Sequence, residues 1–194
     1  QKDVYNVLIN SYKTATTMIR PGITYREVHV TVWAKIAEGL KALGLMKGDA
    51  MEAAEAGAVA MFMPHGLGHM MGMDVHDMEN YGEVYVGYPR GAQKDSRFGF
   101  RSLRLGRTLE PGFVFTVEPG IYFIPELIDQ WKAAGKFSDF ICYDKLEAWK
   151  DFGGMRNEED YLIIETGSRH LGLRKPVDIE EILACKNGTV TPYI

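Results

Sequence analysis

The sequence predicts an α+β domain, because helix-spaced apolar residues dominate its opening third while short apolar runs of strand type are confined to its later part. With 194 residues, 46% of them hydrophobic, the chain can bury one substantial core, so a single globular domain is expected.

The first helix is marked by Val4, Val7, Leu8, Ser11, Ala15 and Met18, spaced by three and four residues and stopped by Pro21-Gly22. A second begins at Thr24-Tyr-Arg-Glu27, a capping-box pattern, and carries Val28, Val32, Trp33, Ile36, Ala37 and Leu40 up to Gly44. Residues 49–60, rich in Ala, Met and Glu, read as a shorter third helix. Residues 64–72 hold too many glycines to continue it and form a loop. Residues 79–107 are long, polar and irregular, the pattern of a mobile lid or substrate loop. After the Pro111-Gly112 turn, residues 113–117 and 120–123 read as two strands joined through Glu118-Pro119. Residues 161–165 form another strand, closed by Thr166-Gly167. Helical patterns lie near residues 126–134 and 144–152, and a last helix starts near Asp178.

A net charge of −4 and the absence of any run of five basic residues argue against nucleic acid and anionic membrane as partners. No apolar stretch reaches the roughly 20 residues of a membrane helix, and QKDVYN has no signal-peptide pattern. The chain opens at Gln1 inside a helical pattern, and a portion of a longer protein is expected. Cys142 and Cys185 occupy no CxxC or Cys/His metal spacing; two reduced thiols in a cytoplasmic protein are the expectation.

Three motifs concentrate the histidines and acids that are not on helix surfaces. They are His65-Gly-Leu-Gly-His69 continuing to His76-Asp77, then Thr116-Val-Glu118-Pro-Gly120, then Gly153-Gly-Met-Arg156-Asn-Glu158-Glu159-Asp160. Glycines beside the first histidines would let the backbone turn tightly and the imidazoles converge on a metal or acid–base site. Glu118 ends an apolar run, and a buried carboxylate is costly unless paired or metal-bound. Glu158, Glu159 and Asp160 crowd three acids at a strand mouth, where a divalent cation would relieve their repulsion; a solvated charge run is the alternative. Mixed imidazole and carboxylate donors suit Mn, Co or Zn.

In this order the motifs resemble the pita-bread metallopeptidases, a group that includes prolidase, aminopeptidase P, methionine aminopeptidase and creatinase. PHGLGH with GMDVHD, RSLRLGRTLEPGFVFTVEPGIYF and GGMRNEED are similar to the prolidase branch. The resemblance covers nearly the whole chain and weakens after about Gly167. It implies part of a pita-bread catalytic domain and hydrolysis of Xaa-Pro dipeptides with two divalent ions, Mn first and Co or Zn as alternatives. His69, Glu118 and Glu158 would then be metal ligands, with Glu118 also a proton shuttle. His76 would contact substrate and stabilise the tetrahedral intermediate. Arg104 would clamp the dipeptide carboxylate, a task suited to a guanidinium fork. His65 would line the proline pocket or else serve a structural role, and Arg156 would orient Glu158.

The family's remaining ligands are an aspartate pair on a hairpin upstream of the first helix, and no matching pair occurs here. That hairpin and a separate N-terminal domain are expected before Gln1, in a full-length protein that is a homodimer. The chain alone is expected to hold an incomplete or empty site and to be inactive. Aminopeptidase P is the nearest rival function; Arg104 argues against it, because a clamp on a free carboxylate excludes longer peptides. A non-catalytic pita-bread binding module is the rival from another class, opposed by the retained His69, Glu118 and Glu158.

Overall fold

A computed structural model describes residues 1–188. Helix α1 (Lys2–Met18) buries Val4, Val7, Leu8, Tyr12 and Ala15 along one face. Each such Val or Leu contributes roughly 1.5–3 kcal/mol relative to exposure. The helix therefore forms without a side-chain N-cap bond. It packs on α2 (Tyr25–Ala42), where a Cβ at Gly39 would sit 2.5 Å from the Val7 side chain. Only glycine permits that approach. The expected capping box is present: Thr24 Oγ1 accepts from the Glu27 N–H at 3.2 Å, and Glu27 accepts from the Thr24 N–H at 2.9 Å.

Helix α3 (Ala50–Ala56) is shorter than the pattern over residues 49–60 predicts, because Gly57 adopts φ 92° and ends it. A buried 3-10 turn, Ala58–Met61, takes its place. Residues 79–107 are less irregular than expected, holding 3-10 turns Glu79–Tyr81 and Phe100–Ser102 and the short helix α4 (Glu83–Gly87). The later part of this segment is anchored, with Phe100, Leu103 and Leu105 buried and the Gly106 and Arg107 amides donating to the Gly87 carbonyl. Its earlier part and the residues before it expose Met73, Val75, Met78, Tyr81 and Tyr85.

The strands are β1 (Val114–Val117), β2 (Gly120–Phe123), β3 (Gly153–Arg156), β4 (Glu159–Ile164) and β5 (Gly167–His170). One antiparallel sheet has the order β1-β4-β5 and a second pairs β2 with β3. Strands β3 and β5 escape the sequence reading, since Gly153-Gly and Gly167-Ser-Arg-His carry little strand-type apolar character. Helix α5 (Pro125–Ala133) follows β2. The helical pattern over residues 144–152 resolves into α6 (Tyr143–Leu146) and the 3-10 turn Glu147–Trp149. Helix α7 (Ile179–Lys186) starts behind a capping box of Asp178 and Glu181. Among the described residues, no helix is long and apolar enough to cross a membrane.

The two strand pairings share one register. Val117 lies opposite Glu159 and Gly120 opposite Arg156, so carrying either ladder across the gap sets Glu118 opposite Glu158 and Pro119 opposite Asn157. β1–β2 and β3–β4 are thus one long antiparallel ribbon, interrupted where Pro119 has no N–H to give. The Asn157 N–H bridges the interruption by donating to the Pro119 carbonyl at 3.2 Å.

Candidate metal centre

Residues opposite each other on one face of an antiparallel pair bring their Cβ atoms to about 4.5–5.5 Å. The ribbon register therefore makes neighbours of Glu118 and Glu158 although β2, α5, α6 and β3 intervene in the chain. The other edge of β1 is occupied by residues 67–71. Met70 bridges Phe115, the Glu118 N–H donates to Leu67 O at 2.8 Å, and the Thr116 N–H donates to His69 O at 3.0 Å. His69 thus lies beside Thr116 and diagonal to Glu118. Tyr25 of α2 fixes this junction from below, its hydroxyl donating to the Thr116 carbonyl at 2.6 Å.

The glycines of His65-Gly-Leu-Gly-His69 serve a purpose other than the tight turn expected of them. Neither Gly66 nor Gly68 has positive φ. A Cβ on Gly68 would lie 2.0 Å from Thr116 O, and one on Gly66 would lie 2.7 Å from Leu103 Cα. They let backbone approach backbone.

The donor atoms of His69, Glu118 and Glu158 all lie within 4.8 Å of one another, and no other such group of His, Cys or acidic residues occurs among the described residues. His69 is 4% exposed and Glu118 7%, whereas Glu158 is open to solvent. His69 Nδ1 lies 3.0 Å from the Met70 carbonyl, which assigns the proton to Nδ1 and leaves a lone pair on Nε2. That Nε2 faces Glu118 Oε1 at 3.5 Å. A lone pair and a carboxylate oxygen so placed repel unless a proton or a cation lies between them, and one imidazole with two carboxylates is a donor set that fits Mn, Co or Zn.

Thr116 joins these groups: its Oγ1 accepts from the His69 N–H at 3.0 Å and donates to Glu118 Oε1 at 3.1 Å. Arg156 Nη1 donates to Glu118 Oε2 at 2.6 Å but stands 4.0 Å from Glu158, and its Nε donates to the Tyr122 hydroxyl at 2.8 Å. Arg156 thus holds Glu118 closely and reaches the Glu158 it was expected to orient only through a longer ion pair. Burial raises the Glu118 carboxyl, with Glu158 adding to the rise while Arg156, Thr116 and His76 oppose it.

The three acids of the last motif do not converge on one point. Successive side chains alternate across a strand, so Glu159 points away from Glu158, to His170 Nε2 at 2.9 Å and Lys175 Nζ at 3.0 Å. Asp160 pairs in register with Thr116 and takes no part in the cluster.

A cleft of about 480 Å³ opens over the centre, lined by His65, His69, His76, Arg104, Glu118 and Arg156 among others. Its size suits a small ligand. The His69 and His76 rings meet edge to face with centroids 4.3 Å apart. Arg104 Nη1 lies 3.2 Å from His76 Nδ1 and also donates to Glu79. A guanidinium only donates, so His76 Nδ1 accepts and a neutral His76 carries its proton on Nε2. His65 Nδ1 contacts the Gly66 carbonyl at 2.7 Å, while its buried Nε2 has no partner among the described residues. Burial lowers its pKa to about 4. All five residues named for catalysis, substrate or metal besides Glu158 line this cleft, and Glu158 joins them through the donor cluster.

Thr116, Tyr122 and Glu79 are not among the site residues that the sequence motifs predict. Thr116 and Tyr122 were accessible in principle, since strand alternation places residues two and four positions from Glu118 on related faces. Glu79 is brought in by loop packing and has no such signal.

The sequence matches the model of Metallopeptidase family M24 over residues 1–165. It is 41% identical over 190 residues to Xaa-Pro dipeptidase of Rattus norvegicus, which covers 97% of this chain and 37% of that protein. It is 40% identical over 198 residues to Xaa-Pro dipeptidase of Homo sapiens, covering 100% of this chain and 38% of that protein. The chain thus spans little more than a third of these relatives. Among solved structures, proline aminopeptidase P II from Yersinia pestis superposes with TM-score 0.64 at 32% identity, covering 95% of this chain and 35% of its own. Zinc-substituted Escherichia coli aminopeptidase P in complex with product gives 0.65 at 30% identity, with 96% and 34% covered. The mixed helix and sheet architecture is therefore that of pita-bread peptidases.

Proposed function

The chain belongs to metallopeptidase family M24, and from that premise we propose that it supplies His69, Glu118 and Glu158 to a two-ion site that hydrolyses Xaa-Pro dipeptides. The observation that carries this reading is the cross-strand pair Glu118 and Glu158 with His69 Nε2 facing it, three donors within 4.8 Å. The chemistry such ions supply is a water of lowered pKa and a polarised scissile carbonyl. Manganese is proposed first, with cobalt or zinc next.

Each protein group has a part in this reading. Glu118 receives the proton of the attacking water and passes it to the proline nitrogen as general acid. Arg156 and Thr116 hold the Glu118 carboxylate from two sides. His76 offers its Nε2–H to the oxygen that gains charge at the tetrahedral stage. Arg104 receives the C-terminal carboxylate, and His65 lines the proline side next to Tyr122, with ring centroids 5.4 Å apart.

Three donors are too few for two ions, so we propose that further carboxylates come from sequence outside these 194 residues, this chain being one portion of the catalytic domain. A homodimeric full-length protein rests on the family resemblance alone. A cytoplasmic setting is supported by the free thiols Cys142 and Cys185.

Proline release from an Xaa-Pro dipeptide, followed in the longer protein loaded with Mn, tests the reading. His69→Ala, Glu118→Gln and Glu158→Gln should each lower kcat by at least about 100-fold; near-normal turnover by any of them overturns the assignment. Aminopeptidase P activity is the second reading, favoured by the structural likeness to that enzyme. Faster cleavage of Xaa-Pro-Yaa than of Xaa-Pro would decide for it.

A further inference from the structure

Arg104 does not stand alone in the cleft. Both of its side-chain hydrogen bonds leave from one nitrogen, Nη1, which reaches His76 Nδ1 and Glu79 Oε2. Glu79 comes from the 3-10 turn Glu79–Tyr81 and is the less exposed member of the ion pair, 17% against 38% for the arginine side chain. Among the described residues, Nε and Nη2 have no hydrogen-bond partner. A guanidinium recognises a carboxylate through two parallel N–H groups, and the Nε–Nη2 edge is such a pair. Since a free arginine side chain loses much rotamer entropy on being fixed, an anchor on Nη1 removes that cost before substrate arrives.

From this arrangement we infer that Glu79 is a positioning residue, which holds Arg104 by Nη1 so that the Nε–Nη2 edge stays free for the C-terminal carboxylate of the substrate. The inference rests on the proposed carboxylate-binding role of Arg104. It assigns to the turn before α4 a part in choosing acids over amides. Direct competition is the opposite possibility: a Glu79 carboxylate that occupied the fork would have to be displaced by substrate.

The test uses the full-length Mn-loaded enzyme and two substrates, an Xaa-Pro dipeptide and its C-terminal amide. Glu79→Ala should raise KM for the acid about fivefold, the factor expected of a partly exposed ion pair, with kcat changed less than about twofold and amide kinetics unchanged. Glu79→Gln, which retains an acceptor oxygen, should recover part of the loss. In an Arg104→Ala background Glu79→Ala should add nothing further, because a residue acting through another has no effect once that other is gone.

A lower KM for the acid in Glu79→Ala would overturn the inference in favour of competition, and equal changes on acid and amide would overturn it in favour of a merely structural turn. If Arg104→Ala itself harms acid and amide alike, the carboxylate-binding role fails and the inference with it. If Arg104→Ala is selective for the acid while Glu79→Ala is silent, only the inference fails.

Discussion

Thr116 holds together two groups that are far apart in the sequence. Its hydroxyl serves the His69 amide and the Glu118 carboxylate at once, in a place closed to solvent. Thr116→Val keeps the shape and removes both bonds, leaving a buried N–H without a partner at a cost of about 1–3 kcal/mol. Urea unfolding of the variant should show a lower midpoint with unchanged slope. If His69 and Glu118 ligate Mn as proposed, Mn affinity should fall about 10–100-fold, as for lost orienting partners of metal ligands. Unaltered midpoint and affinity would show that Thr116 is a bystander. His29 governs a different property. It is fully buried, its ring tilted by 54° against Trp33 with centroids 4.2 Å apart, and among the described residues neither ring nitrogen has a partner. Burial first, then the nearby His65 and Arg26, lower its pKa to about 3. The unfolded chain takes up this proton near pH 6.5, the folded chain only near 3. Stability from His29 is therefore complete above pH 6.5 and is lost as pH falls through that window, at up to about 1.4 kcal/mol per pH unit. His29→Phe should flatten the stability profile between pH 4.5 and 6.5. It should not abolish the slope, because His65 is shifted in the same direction. A profile identical to that of the parent would contradict a neutral buried His29.

The elements near the site are specified by glycines as much as by apolar residues. Gly68→Ala would drive a Cβ to 2.0 Å from the Thr116 carbonyl, a backbone atom of β1 that cannot step aside as a side-chain end can. A loss of at least about 2–3 kcal/mol is expected, with His69 displaced from β1. Gly167→Ala at the start of β5 meets nothing within 4 Å and requires no positive φ, so it should be tolerated. Thermal unfolding of the two variants side by side checks the contrast; equal melting temperatures would refute it. The same contrast explains what could be read in advance. Helices α1 and α2 were legible because Val4, Val7, Leu8 and the Thr24–Glu27 box are local signals. So were β1, β2 and the core of β4. Strands β3 and β5 were not, since Gly153-Gly154 and Gly167 offer no apolar alternation and pair only because β2 and β4 present edges to them. Of the site, residue types were legible and register was not. That is why the motif alone groups Glu159 and Asp160 with Glu158, and why it pairs Arg156 with Glu158 without revealing the nearer Glu118.

At the scale of the whole molecule, three donors converge among the described residues, and that number sets the expectation for metal binding. The 194-residue chain should take up at most one divalent ion, weakly, and release little or no proline from Xaa-Pro. Ligand linkage raises stability by RT ln(1 + [L]/Kd), so Mn near its dissociation constant adds only about 0.4 kcal/mol and shifts melting slightly. Calorimetric titration with Mn and a proline-release assay measure both. Tight binding of two ions, or turnover close to that of the longer protein, would mean that donors besides His69, Glu118 and Glu158 complete the site. The ribbon of β1–β2 against β3–β4 also bears on how such chains can vary. Glu118 faces Glu158 because the ladder counts residues from both sides of the interruption. The excursion through α5 and α6 takes no part in that count. Insertions or deletions there leave the carboxylates where they are, whereas one residue added between Val114 and Glu118 would turn a carboxylate to the opposite face. Spacing along the chain between the two glutamates is free to drift among relatives; parity within the strands is not.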